Sequence, residues 1–219
     1  MFRTVNKDFF KVWTPEMAYV LGFFAADGWI SHNKRGAYFL CIQITDEDLL
    51  QKIRSAFQST HKISKRVMKS ILHKQSFRLQ IGSKEMCYDL NNLGFTVRKT
   101  HIMLAPQVPE EFLFDFVRGY FDGDGNVWVG LTHKERKTSH WALQSAFTSC
   151  SGLFLKSLMQ RLSNYGLKGR VQKIRSYYRL VYSIKSSLLL YDLMYKRNND
   201  NLYLARKKAV FERYKLMRP

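Results

Sequence analysis

Two aspartates in this 219-residue chain have the surroundings that metal-assisted chemistry needs. Asp27 and Asp124 each stand directly before a glycine, and each closes a segment of apolar and aromatic residues. Carboxylate oxygens are ligands that Mg²⁺ prefers, and the ion keeps its other positions for water or phosphate oxygens. Paired sites of this kind support phosphodiester hydrolysis. A lone Asp-Gly is a common turn signal. The hypothesis of a paired metal site therefore depends on which elements bring the two aspartates together.

The segments that carry the two aspartates are copies of one repeat. Residues 15–30 and 109–127 both open on Pro-Glu and close on Gly-x-x-x-small-Asp-Gly. Further along, residues 77–84 match residues 178–185 in the same order, at a similar offset. Such self-similarity predicts a tandem duplication. We divide the chain into an N-terminal half, 1–105, and a C-terminal half, 106–219.

Small residues recur along the first segment of each half. They are spaced four apart: Ala18, Gly22 and Ala26 in the first copy, Gly119 and Gly123 in the second. On a helix this spacing makes one smooth stripe, which lets two helix backbones approach closely. If the two stripes pack on each other, Asp27 and Asp124 emerge side by side.

Each half is predicted to contain the same helices and strands. In the first half, a helix begins at Pro15 with Thr14 as its cap, and Gly28 ends it through its conformational freedom. The further elements of this half are strands 38–45, 65–70 and 76–82 and helices 46–57 and 84–93. The second half repeats them: helices 109–123, 152–165 and 186–195, with strands 128–131, 141–148, 169–174 and 177–184. A further basic helix is predicted over 202–216. The fold class is therefore α+β.

The charge balance points to a polyanionic partner. The chain carries 36 Lys+Arg against 17 Asp+Glu, a net +19, and the pI is near 10.0. Both halves share the excess, which favours nucleic acid over a merely soluble basic protein or an anionic membrane. Three cysteines without a CxxC pair indicate neither zinc nor disulfides and are predicted to be small core residues. Without a signal peptide or a long apolar run, we expect a soluble intracellular protein.

Residues 20–28, VLGFFAADG, and 117–125, VRGYFDGDG, resemble the two copies of the LAGLIDADG motif of homing endonucleases. The resemblance extends over almost the whole chain and is to the monomeric two-motif branch. It implies two pseudo-symmetric αββαββα halves that pack through central motif helices. Their sheets would form a DNA-binding saddle over the major groove.

The resemblance also implies an activity and its metal ligands. Such enzymes cut both strands of a long, nearly non-palindromic DNA duplex across the minor groove and leave short 3′ overhangs. Asp27, Asp124 and the backbone carbonyls of Ala26 and Gly123 would hold two or three Mg²⁺ ions. Mn²⁺ would substitute, and Ca²⁺ would bind without cleavage. The expected compartment is bacterial or phage cytoplasm or an organelle.

Further site residues follow from position alone. Asp46 and Ser149 align with the family position that orders active-site water, and Lys84 and Lys185 are candidates for the same network. Outward strand residues that could read bases, since arginine suits guanine and glutamine suits adenine, are Gln43, Arg78, Gln80, Gln144 and Arg179. For each of these, an ordinary solvated residue is the alternative.

Two other functions use the same scaffold. An RNA maturase that assists group I intron splicing would tolerate loss of the carboxylates, yet both are present. A non-catalytic DNA-binding regulator usually carries an added helix-turn-helix domain, for which 219 residues leave no room. The nuclease is therefore the favoured hypothesis.

Overall fold

The computed structural model describes residues 3–67, 74–96, 103–132, 140–196 and 202–217. Two compact units are present. The first comprises Met1–Lys99, Pro106–Gly123 and Asp200–Leu202, and the second Thr100–Ala105, Asp124–Asn199 and Tyr203–Pro219. The division follows packing, whereas the repeat boundary at 105/106 is a prediction about the duplication. Within the described ranges, no helix combines the length and apolar character that crossing a membrane requires.

The first half folds as αββαββα. Its elements are α1 (Pro15–Asp27), β1 (Gly28–His32), β2 (Tyr38–Ile44), α2 (Glu47–Ala56), β3 (Ile63–Lys65), β4 (Phe77–Gly82) and α3 (Lys84–Asn92). The strands form one antiparallel sheet in the order β1-β2-β4-β3. Leu40, Ile42, Leu79 and Ile81 are buried on its inner face. Since side chains alternate along a strand, the residues between them form the outer face.

In the described part of the chain, the second half repeats the arrangement and has one further helix. A 3₁₀ turn (Glu110–Phe112) leads into α4 (Leu113–Asp124), β5 (Gly125–Thr132), β6 (His140–Ser149), α5 (Gly152–Ser163), β7 (Gly169–Ile174), β8 (Tyr177–Tyr182), α6 (Ile184–Tyr195) and α7 (Ala205–Leu216). Its sheet has the matching order β5-β6-β8-β7. The predicted α+β fold with two similar halves is confirmed.

The start of α1 is as predicted, whereas its end has a different cause. Thr14 is the N-cap, and its Oγ1 accepts from the N–H of Met17 at 3.1 Å, with Pro15 at the first helical position. Gly28 ends the helix with φ −90°, an ordinary extended value. Glycine is needed there because a Cβ would lie 2.1 Å from the Phe24 ring. The prediction that its conformational freedom mattered is wrong.

One observed strand was not predicted, and two predicted elements have different bounds in the structure. Strand β1 was not predicted. The predicted strand 65–70 is wrong in its bounds: β3 lies earlier, at Ile63–Lys65, and residues 68–70 lie outside the described residues. The helix predicted from 109 begins as a 3₁₀ turn, and α4 starts only at Leu113.

The cysteines are structural. Cys41 and Cys87 are buried, Cys150 is half-buried, and all three are free thiols. Burial raises the pKa of the Cys87 thiol to about 11, as expected for a sulfur in apolar surroundings.

Candidate metal and nucleic-acid site

The motif helices α1 and α4 touch through their main chains. A Cβ on Gly22 would lie 2.0 Å from the carbonyl oxygen of Phe116, and one on Gly119 would lie 2.0 Å from the carbonyl oxygen of Tyr19. No side chain fits at either position, so two glycines allow the two backbones to meet. This confirms that the small-residue stripes are the packing surface.

Asp27 is the last residue of α1 and is half-buried. The backbone of α4 lies directly against it: a Cβ on Gly123 would lie 2.3 Å from the Cβ of Ala26 and 3.2 Å from Oδ2 of Asp27. Any residue larger than glycine at 123 would therefore crowd the carboxylate.

Asp124 is the last residue of α4, half-buried like Asp27, and is followed at once by β5. The carbonyls of the last turn of a helix lack partners within the helix, and the helix dipole makes this end attractive to cations. Ala26 and Gly123 contribute carbonyls of this kind. Carboxylate and carbonyl oxygens together suit a hard cation such as Mg²⁺. Across the described ranges, no three His, Cys, Asp or Glu side chains form a metal-binding cluster.

A buried polar contact links the motif helices, between Tyr19 on α1 and Asp122, two residues before Asp124 on α4. The Tyr19 hydroxyl donates to Oδ2 of Asp122 at 2.7 Å, and Asp122 is 2% exposed. Arg118, 1% exposed, donates from Nε to the Leu202 carbonyl at 3.0 Å and from Nη1 to Oδ1 of Asp115 at 2.9 Å. Its guanidinium also lies 5.2 Å from the Tyr19 ring centroid. Sequence reasoning missed this network, although an arginine inside an apolar segment could have been its signal.

Lys207 is a second residue that the sequence did not single out. It lies on α7 and is 7% exposed, and its Nζ donates to the Gly125 carbonyl at 2.6 Å. Gly125 directly follows Asp124 in the chain. Lys207 therefore contacts the backbone beside the second aspartate.

On the outer face of the first sheet, Arg78 is held in place by its neighbours. Its guanidinium carbon lies 5.0 Å from the Trp29 ring centroid, and Nη2 donates to Sγ of Cys41 at 3.4 Å. Its Nε is buried and has no hydrogen-bond partner among the described residues. Arg78 pairs across the sheet with Gln43, while Gln80 pairs with Cys41.

The outer face of the second sheet places Arg179 at the position equivalent to Arg78. Arg179 pairs with Thr148 and with Gln172. Gln144 is exposed and lies opposite Trp128. The position equivalent to Trp29 is Asn126, so the second half lacks the aromatic platform.

The water-network candidates lie in two different settings. Asp46 is the N-cap of α2 and half-buried. Ser149 is buried at the end of β6, and its Oγ accepts from the N–H of Ser151 at 3.1 Å. The register makes Ser151, the N-cap of α5, the counterpart of Asp46. The alignment that paired Asp46 with Ser149 is therefore shifted by two residues.

Lys84 and Lys185 occupy equivalent exposed positions at the start of α3 and α6. Gly82, just before α3, pairs with Phe39, whereas Gly28 pairs with Ile42. Three residues along β2 separate these rows, which is about 10 Å. Lys84 thus lies at the end of the first sheet away from Asp27, and a water-network role for the two lysines stays a prediction.

The fold and its site define a class: a duplicated α+β protein whose repeats each begin with a helix that ends in Asp-Gly. The model of the LAGLIDADG-like domain matches residues 14–92 and 111–202. The chain belongs to that family. No curated protein sequence matches it significantly.

Several solved structures share the fold. The LAGLIDADG meganuclease I-AabMI, solved bound to uncleaved DNA, has a TM-score of 0.62 at 16% identity, over 93% of this chain and 90% of that one. Variants of the homing endonuclease I-DmoI give a TM-score of 0.58 at 16% identity, over 84% of this chain and 97% of theirs. The homing endonuclease I-WcaI, bound to its DNA recognition sequence, gives a TM-score of 0.61 at 14% identity, over 94% of this chain and 91% of that one. At these identities the likeness is one of fold.

Proposed function

We propose that this protein is a monomeric, site-specific double-strand DNA endonuclease that uses Asp27 and Asp124 as metal-binding carboxylates. The single observation that carries the proposal is the contact between the motif helices, where the Gly123 backbone lies against the Asp27 carboxylate. Asp124 is peptide-bonded to Gly123. Family membership and a net charge of +19 point the same way. No observation on the described residues favours a maturase or a non-catalytic regulator.

Each residue of the site has a distinct task. Asp27 and Asp124, with the carbonyls of Ala26 and Gly123, would hold divalent cations at the ends of two rigid helices. Bound Mg²⁺ would supply the charge that stabilises the attacking and leaving oxygens of the phosphodiester. The glycine contacts keep the helices at one separation, because main-chain atoms cannot repack as side chains do. The Tyr19–Asp122 hydrogen bond fixes the same helices against sliding.

The outer faces of the two sheets would read the DNA. Arginine can bond guanine O6 and N7 together, and glutamine can bond adenine in the major groove. Arg78 suits this task because Trp29 holds its guanidinium and a thiol, a weak acceptor, is its hydrogen-bond partner in the sheet. Gln43, Gln80, Gln144 and Arg179 are further reading candidates. Lysines and arginines elsewhere would bind phosphates and set affinity rather than sequence preference. The related meganucleases solved on DNA support this partner.

The test begins by finding a substrate. Cleaved duplexes are selected from a randomised library in Mg²⁺, and duplexes that bind without cutting are selected in Ca²⁺. On the selected duplex, Asp27→Asn and Asp124→Asn should keep affinity within a few fold and lose double-strand cleavage, because each removes one charged ligand and little volume.

Asp48→Asn is the matched control, since Asp48 is an exposed carboxylate on α2 and its loss should leave cutting unchanged. Undiminished cleavage by either site variant would remove that aspartate from the mechanism. Loss of cleavage in the control as well would mean that the effect is one of charge alone.

A further inference from the structure

Trp128 on β5 presents a large apolar ring on the outer face of the second sheet. Its side chain is 46% exposed. The next residue, Val129, pairs with Leu143, which is buried on the inner face, and successive side chains of a strand point to opposite faces. The cross-strand partner of Trp128 is Gln144, which is exposed as well. The indole and the amide therefore lie side by side on the proposed DNA-reading face.

A glycine sets the position of the indole. Gly130 lies two positions further along β5, on the same face, and pairs with Ala142. A Cβ on Gly130 would lie 2.2 Å from Cζ2 of Trp128 and 2.8 Å from Cη2, so the six-membered ring occupies the space above this glycine. Glycine inside a strand weakens the strand and often marks a place where another group approaches closely. Here Gly130 lets the ring extend along the sheet.

Trp128 does not have the task of the tryptophan in the first half. Trp29 lies against the guanidinium of Arg78. Among the described residues, by contrast, no lysine or arginine lies over the Trp128 ring, and none forms a hydrogen bond with the side chain of Gln144. This part of the second sheet thus offers an apolar surface and an amide that is available to a ligand.

These two side chains match the major-groove edge of a single A·T base pair. Adenine presents N7 and N6, which glutamine can bond together, and thymine presents a 5-methyl group, which apolar side chains contact. Cross-strand partners have Cβ atoms about 4.5–5.5 Å apart, so both can reach one base pair. A G·C pair offers no methyl group to the ring.

We propose that Trp128 is a specificity-determining residue that contacts the 5-methyl group of a thymine, in a base pair whose adenine is bonded by Gln144. The proposal rests on the proposed endonuclease function, because it requires the outer face of the second sheet to lie on DNA. Burying a group the size of a methyl changes affinity by about fourfold, which is about 0.8 kcal/mol. The second half would therefore select an A·T pair by two separate contacts.

The experiment replaces each thymine of the selected duplex in turn by deoxyuridine, which lacks only the 5-methyl group. Binding to the full chain is measured without divalent ions, so that no DNA is cut. At one position deoxyuridine should weaken binding by about fourfold, and Trp128→Ala should bind the thymine and deoxyuridine duplexes equally. Trp141→Ala is the matched control and should keep the fourfold difference. Trp141 is 44% exposed on the same sheet, but it pairs with Leu131 and so faces the other side.

Two further variants separate the position of the ring from the amide. Gly130→Ala keeps the indole but displaces it, since the added Cβ would overlap the ring, and should reduce the deoxyuridine effect to less than about twofold. Gln144→Ala should keep that effect. It should also reduce the preference for A·T over G·C at the same base pair by about 5- to 150-fold. Melting temperatures of all variants show that each is folded.

The proposal is overturned if no deoxyuridine position weakens binding, or if the effect persists in Trp128→Ala. Failure of the endonuclease assignment would give a different result. A duplex that is bound with the deoxyuridine effect but is never cut in Mg²⁺ would support the role of Trp128 and refute the nuclease. If no duplex is bound at all, both proposals are refuted.

Discussion

Replacing Gly119 by alanine should lower the free energy of unfolding and slow DNA cleavage by about 100-fold, although alanine is the better helix former. A Cβ at this position would lie 2.0 Å from the Tyr19 carbonyl oxygen and 2.9 Å from the Phe23 nitrogen. Ordinary contact begins near 3.4 Å, so the helices would have to separate locally by roughly 1.4 Å. Both clashing atoms are main chain in α1 and cannot rotate away.

The size of the effect follows from two opposing contributions. Glycine to alanine within a helix stabilises by about 0.8–1 kcal/mol. Overfilling a packed interior costs about 1–3 kcal/mol and sometimes more, and rigid neighbours favour the upper end. We expect a net loss of about 2 kcal/mol, which for a chain of this size lowers the melting temperature by about 4–8 °C. Activity should fall much further, because a displacement of about 1 Å at reacting groups can cost 10²-fold.

Urea denaturation, thermal melting and the cleavage rate on the selected duplex measure these effects. Gly152→Ala is the control: Gly152 is also helical, but the atoms nearest to its added Cβ belong to the Tyr178 ring, at 2.9 Å, and not to a main chain. That ring can move, so stability should change by less than about 1 kcal/mol. If Gly119→Ala were as stable as the original protein and cut normally, main-chain contact would not set the geometry of the site.

Two further substitutions test the contacts around the site. Tyr19→Phe removes the hydroxyl that bonds Asp122 and should cost about 1–3 kcal/mol in urea denaturation, because a buried carboxyl oxygen loses this donor; a loss below about 0.5 kcal/mol would mean that the bond is not made in solution. Arg78→Ala should reduce discrimination between the right and wrong base at one base pair by about 1–3 kcal/mol. Trp29→Ala should reduce it at the same base pair by about 0.5–2 kcal/mol. Both are measured as metal-free binding affinities for a set of singly substituted duplexes. An effect of Trp29→Ala that is uniform across all positions would contradict its role in holding Arg78.

The features that could be predicted from the sequence were those that recur in both halves or follow the period of a helix or strand. The duplication singled out Asp27 and Asp124 as candidate metal ligands, since turn chemistry alone does not explain a feature found twice at equivalent positions. Thr14 and Pro15 marked the start of α1 because capping is local. The glycine spacing predicted the helix contact because one stripe faces one neighbour.

What could not be predicted depends on contacts distant in sequence. Strand β1 is short and follows a helix without a loop, so alternation over GWISH was too brief to detect. The role of Gly28 depends on where the Phe24 ring lies. Lys207 looked like one of several cations on a basic helix, and its spacing from Phe211 and Tyr214 was the available signal. Trp29 and Arg78 are 49 positions apart and meet only through strand pairing.

The join between each motif helix and its sheet has a mechanical consequence. Asp27 is followed by Gly28, the first residue of β1, and Asp124 by Gly125, the first residue of β5. Only one glycine therefore separates each proposed acidic ligand from the first side chain of the proposed DNA-reading face, Trp29 in the first half and Asn126 in the second. A mismatched duplex that displaces those strands would therefore also displace the proposed metal-binding carboxylates, because no flexible loop lies between them. We therefore expect mismatched DNA sites to be cleaved more slowly as well as bound more weakly.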